Sequence, residues 1–130
     1  MTVIYRSTHD EPPFGRGNFW TTRPASAEFV AQVEAGTPVL PAQSLYHYEV
    51  AVGDRVAEQP VDDLLHLLEG SSRDGLLRLR DSLLDRGEKL AASGHTWVQF
   101  TEHGQSWNGA MLYVGDEIVH PHVSPGGAAG

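Results

Sequence analysis

Residues 73 to 102 read RDGLLRLRDSLLDRGEKLAASGHTWVQFTE, and the change of rhythm inside that run decides the fold class. Leu76, Leu79, Leu83 and Leu90 recur nearly as a heptad seam, with Leu77 and Leu84 widening the stripe. That spacing predicts a helix from about Arg73 to Ser93, its leucines in the core, and Gly94 ends it. The period then falls to two: Trp97-Val98-Gln99-Phe100-Thr101-Glu102 has the alternation and bulk of a strand. A helix that hands over to a strand across a short connection needs both to pack in adjacent layers of one domain.

The segments on either side repeat this alternation. Thr2-Val3-Ile4-Tyr5-Arg6-Ser7-Thr8 is rich in β-branched and aromatic residues and ends in His9-Asp10-Glu11-Pro12-Pro13, a strand and then a loop. After the loop Phe14-Gly15-Arg16-Gly17, Asn18-Phe19-Trp20-Thr21-Thr22 reads as a second short strand. Pro24 suits the first turn of a helix capped by Thr22 or Arg23, with Ala25, Phe29, Val30 and Val33 on its inner face and Gly36 as its stop. Pro38 and Pro41 mark a connection to a half-buried strand from Leu45 to Val52, which Gly53-Asp54 closes. Pro60 is expected to open a short helix that turns Val61, Leu64, Leu65 and Leu68 inward and ends at Gly70. His103 to Gly109 reads as a polar loop, and Ala110 to Val114 with Glu117-Ile118-Val119 as a terminal hairpin about Gly115-Asp116. The expected fold is therefore α+β: one domain over residues 1 to 123, with two or three helices and a mixed or mainly antiparallel sheet of five to seven strands. The tail 124 to 130, Ser-Pro-Gly-Gly-Ala-Ala-Gly, is expected to be disordered.

Composition narrows the function classes. Hydrophobic residues at 40% and three tryptophans place the chain among globular rather than disordered proteins. No stretch approaches the roughly 20 apolar residues of a membrane span, and MTVIYRSTHD has neither the basic nor the apolar region of an export signal. The absence of cysteine removes disulfides, thiolate nucleophiles and cysteine-type zinc sites. A soluble, cytoplasmic protein is the expectation. Seventeen acidic against nine basic residues leave a formal charge of −8, which argues against free nucleic acid as partner. The partner is otherwise an unknown protein or small-molecule acceptor, and the oligomeric state is open. His120-Pro121-His122 could share a metal ion, but a catalytic zinc site takes three protein ligands and the other histidines are scattered, so no metal is expected.

No phosphate loop, dinucleotide fingerprint, nucleophile elbow or two-histidine zinc helix occurs. What remains is an arginine on the first strand, an aromatic-Thr-Thr strand leading into a helix, and a polar stretch before the last strands. In this order the chain resembles the ADP-ribosyltransferase fold, on Ile4-Tyr5-Arg6, on Asn18-Phe19-Trp20-Thr21-Thr22 with Ala25, Ala27 and Phe29, on Leu45 to Val52, and on Ser93 to Phe100. The resemblance implies NAD as substrate and transfer of ADP-ribose to an unidentified acceptor. It assigns Arg6 to the diphosphate, Thr21 to orienting the catalytic glutamate, Thr22 to bracing the strand, and Phe19 or Trp20 to the nicotinamide ring. Breaking the nicotinamide-ribose bond builds positive charge on the sugar, so a carboxylate must lie beside the oxocarbenium-like carbon. The family's acidic pair separated by one residue is missing before the last strands; Glu102 and Gln105 are the nearest candidates, and a second alignment puts Gly109 where the acid belongs. Either Glu102 substitutes or the site is inactive. The alternative is a non-catalytic, acidic protein-protein interaction module, such as a small inhibitor or immunity-type partner.

Overall fold

The computed structural model describes residues 2–38, 46–53, 55–116 and 119–123. Leu45, Asp54, Glu117 and Ile118 and the tail 124–130 lie outside them; of the second arm of the expected terminal hairpin Val119 is described, and it bridges to Phe14 rather than to residues 110–114. Among the described residues seven strands form one sheet: β1 (Thr2–Thr8), β2 (Phe19–Thr21), β3 (Tyr46–Val52), β4 (Val56–Pro60), β5 (Trp97–Glu102), β6 (Gln105–Tyr113) and β7 (His122–Val123). Their order across the sheet is β4-β5-β6-β2-β1-β3-β7. Only β4 and β5 run parallel, and the other neighbours are antiparallel. Two α-helices lie among the described residues, α1 (Ala27–Ala35) and α2 (Arg73–Ala91), together with 3-10 segments at Pro24–Ser26 and Asp62–Ser71. The α+β class, the mixed sheet and its strand number agree with the sequence reading.

Strand alternation gives the sheet two apolar faces. Phe19, Val98, Phe100, Leu112 and Val114 pack with Val30 and Val33 of α1 and Leu76, Leu79 and Leu83 of α2. Leu79 and Leu83 are fully buried, and burial of each such side chain contributes about 1.5–3 kcal/mol. The alternate residues Ile4, Trp20, Trp97, Met111 and Tyr113 form a second cluster with Phe14 and Tyr48. Phe14 arrives from the loop after β1, bridges to Val119, and meets Trp20 and Tyr48 edge-on at 5.8 and 5.1 Å between ring centroids.

Local readings needed correction in four places. Pro60 is the last residue of β4 and opens no helix. The inward leucines after it belong to a 3-10 segment that begins at Asp62 and is interrupted at Glu69 and Gly70; parallel pairing of Pro60 with Thr101 keeps it in the sheet, as an edge strand tolerates proline. Ala25 is exposed in a separate 3-10 turn, not on the inner face of α1. No side chain of Thr22 or Arg23 caps that turn. The stretch 103–109 is not a loop: His103 and Gly104, with φ of 50° and 77°, form the two-residue turn of a β5–β6 hairpin flanked by the pair Glu102 and Gln105. Consecutive positive φ values are what a type I′ turn needs to follow the strand twist.

Candidate functional site

The β5–β6 ladder is interrupted beyond that turn. Thr101 pairs with Ser106 and Gln99 with Met111, so Phe100 alone faces Trp107 to Ala110. The extra residues are taken up by left-handed backbone at Asn108 (φ 50°) and Gly109 (φ 65°). This bulge reverses the alternation, which is why Trp107 and Ala110 both reach the helix-side core. Three hydrogen bonds hold it: the Thr21 hydroxyl donates to the Asn108 carbonyl (2.7 Å), the Thr22 amide to the Gly109 carbonyl (2.8 Å), and Gln99 Nε2 to the Ala110 carbonyl (2.8 Å). Asparagine tolerates the left-handed region and glycine is at home there. Gly109 has a second reason to lack a side chain, because a Cβ would lie 2.6 Å from Thr22 Oγ1 and 2.9 Å from Thr21 Oγ1.

Between this bulge, the hairpin and the start of the first 3-10 turn lies a polar groove of about 450 Å³, lined by Arg23, Glu102, His103, Gln105, Ser106, Trp107 and Asn108. Its frame is tied on several sides. Trp107 stands edge-on to Phe29 of α1, 5.6 Å between centroids. The His103 amide donates to the Asp62 carboxylate at 2.9 Å, and the His103 ring nitrogen Nδ1 lies 3.2 Å from the same oxygen. Arg23 Nη2 donates to the Ser106 hydroxyl at 3.1 Å and to its carbonyl at 3.3 Å. Among the described residues neither Arg23 nor Glu102 belongs to an ion pair. Opposite charges thus line one groove without meeting.

The structure divides the residues singled out from sequence. Glu102 and Gln105 come together as cross-strand neighbours in this groove, and Thr21 and Thr22 brace its bulge from behind. Thr21 is completely buried, its hydroxyl also accepting from the Arg23 amide at 3.1 Å. Phe19 and Trp20 are buried on opposite faces of the sheet, Phe19 in the helix-side core and Trp20 in the aromatic cluster.

Arg6 lies elsewhere again. Its side chain is 2% exposed and forms a two-pronged pair with Glu34 of α1, Nη1 to Oε2 at 2.5 Å and Nη2 to Oε1 at 2.8 Å. Nη1 also donates to the Phe19 carbonyl at 2.8 Å, and Glu34 Oε2 accepts the Phe19 amide at 2.7 Å. The guanidinium carbon stands 4.6 Å from the Phe14 ring centroid. Since β1 and β2 pair only at Tyr5 and Thr21, Arg6 fastens the diverging strands and the helix together. Beside it is a smaller hollow of about 280 Å³, lined by Ser7, Thr8, His9, Asp10, Ala31, Glu34 and Ala35, which shares no residue with the hairpin groove. Ser7 Oγ and His47 Nδ1 are hydrogen-bonded at 2.8 Å as a cross-strand pair of β1 and β3.

Sequence reasoning did not pick out Arg23 or Asn108 as groove residues. The signal for Asn108 was the Asn-Gly dipeptide, which favours consecutive positive φ whether in a hairpin turn or, as here, a bulge. Arg23 had no signal beyond its place directly after Thr21-Thr22. Among the described residues no group of three histidine, aspartate or glutamate side chains is placed to hold a metal ion. No helix among them is long and apolar enough to cross a membrane. Comparison of the chain with protein-family models, with curated proteins and with solved structures finds no match.

Proposed function

We propose that this chain is a non-catalytic interaction module that recognises its partner through the hairpin groove. The observation that carries the reading is the pair of unmatched charges, Arg23 and Glu102, in a polar groove whose backbone is braced by Thr21, Thr22 and Gln99. Groups fixed in place before binding lose little entropy on complex formation, so such a frame favours recognition. Two further features point away from chemistry on NAD. Both terminal nitrogens of Arg6 are engaged by Glu34, and Gly109 has no room for an acid.

Transfer of ADP-ribose from NAD is the second reading, and a specific observation favours it. The sheet sets β2, β1 and β3 side by side, so three of the four segments behind the family resemblance are neighbours. Two buried donors there lack an acceptor among the described residues, Arg6 Nε and Trp20 Nε1, with the Arg6 guanidinium carbon 5.9 Å from the Trp20 ring centroid. A buried donor without an acceptor is costly unless water or a ligand supplies one.

One pair of experiments separates the readings. A photo-crosslinking residue at Gln105 should capture a partner that is lost in Glu102→Gln and Arg23→Gln and that the same residue at exposed Arg73 does not capture. NAD titrated calorimetrically, with nicotinamide release followed in parallel, should give neither heat nor product. Binding of NAD that weakens in Trp20→Phe, with release that stops in Glu102→Ala, would replace the module by the transferase.

A further inference from the structure

The hairpin groove carries both signs of charge, and that limits what it can hold. An anion drawn to Arg23 meets the Glu102 carboxylate in the same groove, and a cation drawn to Glu102 meets the Arg23 guanidinium. Like-charge contact in a partly shielded groove opposes either ion alone. A ligand carrying both signs gains at each end. The remaining lining is equally two-sided: the carboxamides of Gln105 and Asn108 each offer donors and an acceptor, and Ser106 adds a hydroxyl. That is the complement of a peptide group, whose N–H and C=O need one partner of each kind. A hollow of about 450 Å³ lies within the usual range of ligand sites, roughly 300–1,000 Å³.

Resting on the interaction reading above, we propose that the groove takes a short polypeptide segment that presents an ammonium group to Glu102 and a carboxylate to Arg23, with its peptide groups on Gln105 and Asn108. Arg23 is suited to the carboxylate because Nη2 is already oriented by Ser106, so the planar fork reaches the ligand pre-aligned. The brace from Thr21 and Thr22 to the bulge keeps the Asn108 backbone in register with the hairpin, which sets the spacing between the two charges.

Diglycine, triglycine and tetraglycine test this directly, because they carry the same ammonium and carboxylate at increasing separation. Each is titrated into the full chain and followed by the NMR shifts of residues 102–109 and of the Gln105 and Asn108 side-chain amides. One length should bind best. Acetylating its amine or amidating its carboxylate should each weaken binding about tenfold, about 1.4 kcal/mol. In Arg23→Gln, amidation should cost nothing further, and in Glu102→Gln acetylation should cost nothing further. Shifts that are absent at millimolar peptide, or that ignore the caps and both variants, overturn the proposal. If the peptides fail while a partner is still captured at Gln105 and lost in Glu102→Gln, this ligand chemistry is wrong and the interaction module stands. NAD binding with nicotinamide release removes both.

Discussion

Replacing Glu34 by glutamine asks whether Arg6 belongs to the fold or to a ligand. Arg6 is 2% exposed at its side chain and Glu34 22%, and the pair is joined through both nitrogens and both oxygens. Glu34→Gln leaves a buried guanidinium without its counter-charge and loosens the Phe19 amide, which donates to the same carboxylate. Removing one member of a buried pair costs about 3–5 kcal/mol. Because water reaches part of Glu34, we take the lower end, about 3 kcal/mol. At this chain length each kcal/mol moves the melting temperature by about 4 °C, so a fall of about 12 °C is expected. The double variant Arg6→Met with Glu34→Leu removes both charges and should return to within about 1 kcal/mol of the parent. Urea unfolding of the parent, Arg6→Met, Glu34→Leu and their double variant closes a cycle that gives the coupling directly. A loss below about 1 kcal/mol in Glu34→Gln, or a double variant no better than the worse single one, would refute the assignment of Arg6 to the fold.

Gly109→Ala should destabilise by about 2–3 kcal/mol in denaturant unfolding, combining left-handed strain with the contacts to Thr22 and Thr21. Gly104→Ala has the same sign of φ but open space around it, so about 1 kcal/mol is expected, and equal losses at the two sites would contradict the brace. Leu79→Ala, at a fully buried position of α2, should cost about 2–5 kcal/mol in the same assay. Burial pushes the Tyr48 phenol above its ordinary value. The unfolded chain therefore ionises first, so the contribution of Tyr48 to stability is complete below about pH 10 and is lost as pH rises through the folded value; ultraviolet titration with unfolding at each pH checks the sign. The Arg86 hydrogen bond holds the Asp63 carboxyl below the ordinary aspartate value. Its contribution is present above about pH 3.9 and fades as pH falls through the folded value, and carbon NMR should show Asp63 titrating higher in Arg86→Gln.

Much of the fold was legible because it rests on local periodicity. The leucine spacing of α2, the alternation in β1, β3 and β5, and the stop at Gly36 are properties of a few consecutive residues, and any chain that buries one face must display them. What local pattern could not reveal was partnership. Val56 to Pro60 became a strand because β5 lies parallel beside it, although proline at its end signalled a helix start. His103 to Asn108, polar in composition, continues a hairpin because Glu102 and Gln105 pair across a two-residue turn.

The candidate site divides along the same line. Local pattern was enough for the class of fold, for its apolar faces, and for singling out an arginine, two threonines and a glutamate. Which of them meet depends on how the chain packs: Glu34, from a helix 28 residues further on, claims Arg6, while Thr21 turns to the Asn108 carbonyl 87 residues away. Residue type states what a side chain can bind, but burial and the nearest opposite charge choose its partner. Those are set by distances between segments that are remote along the chain.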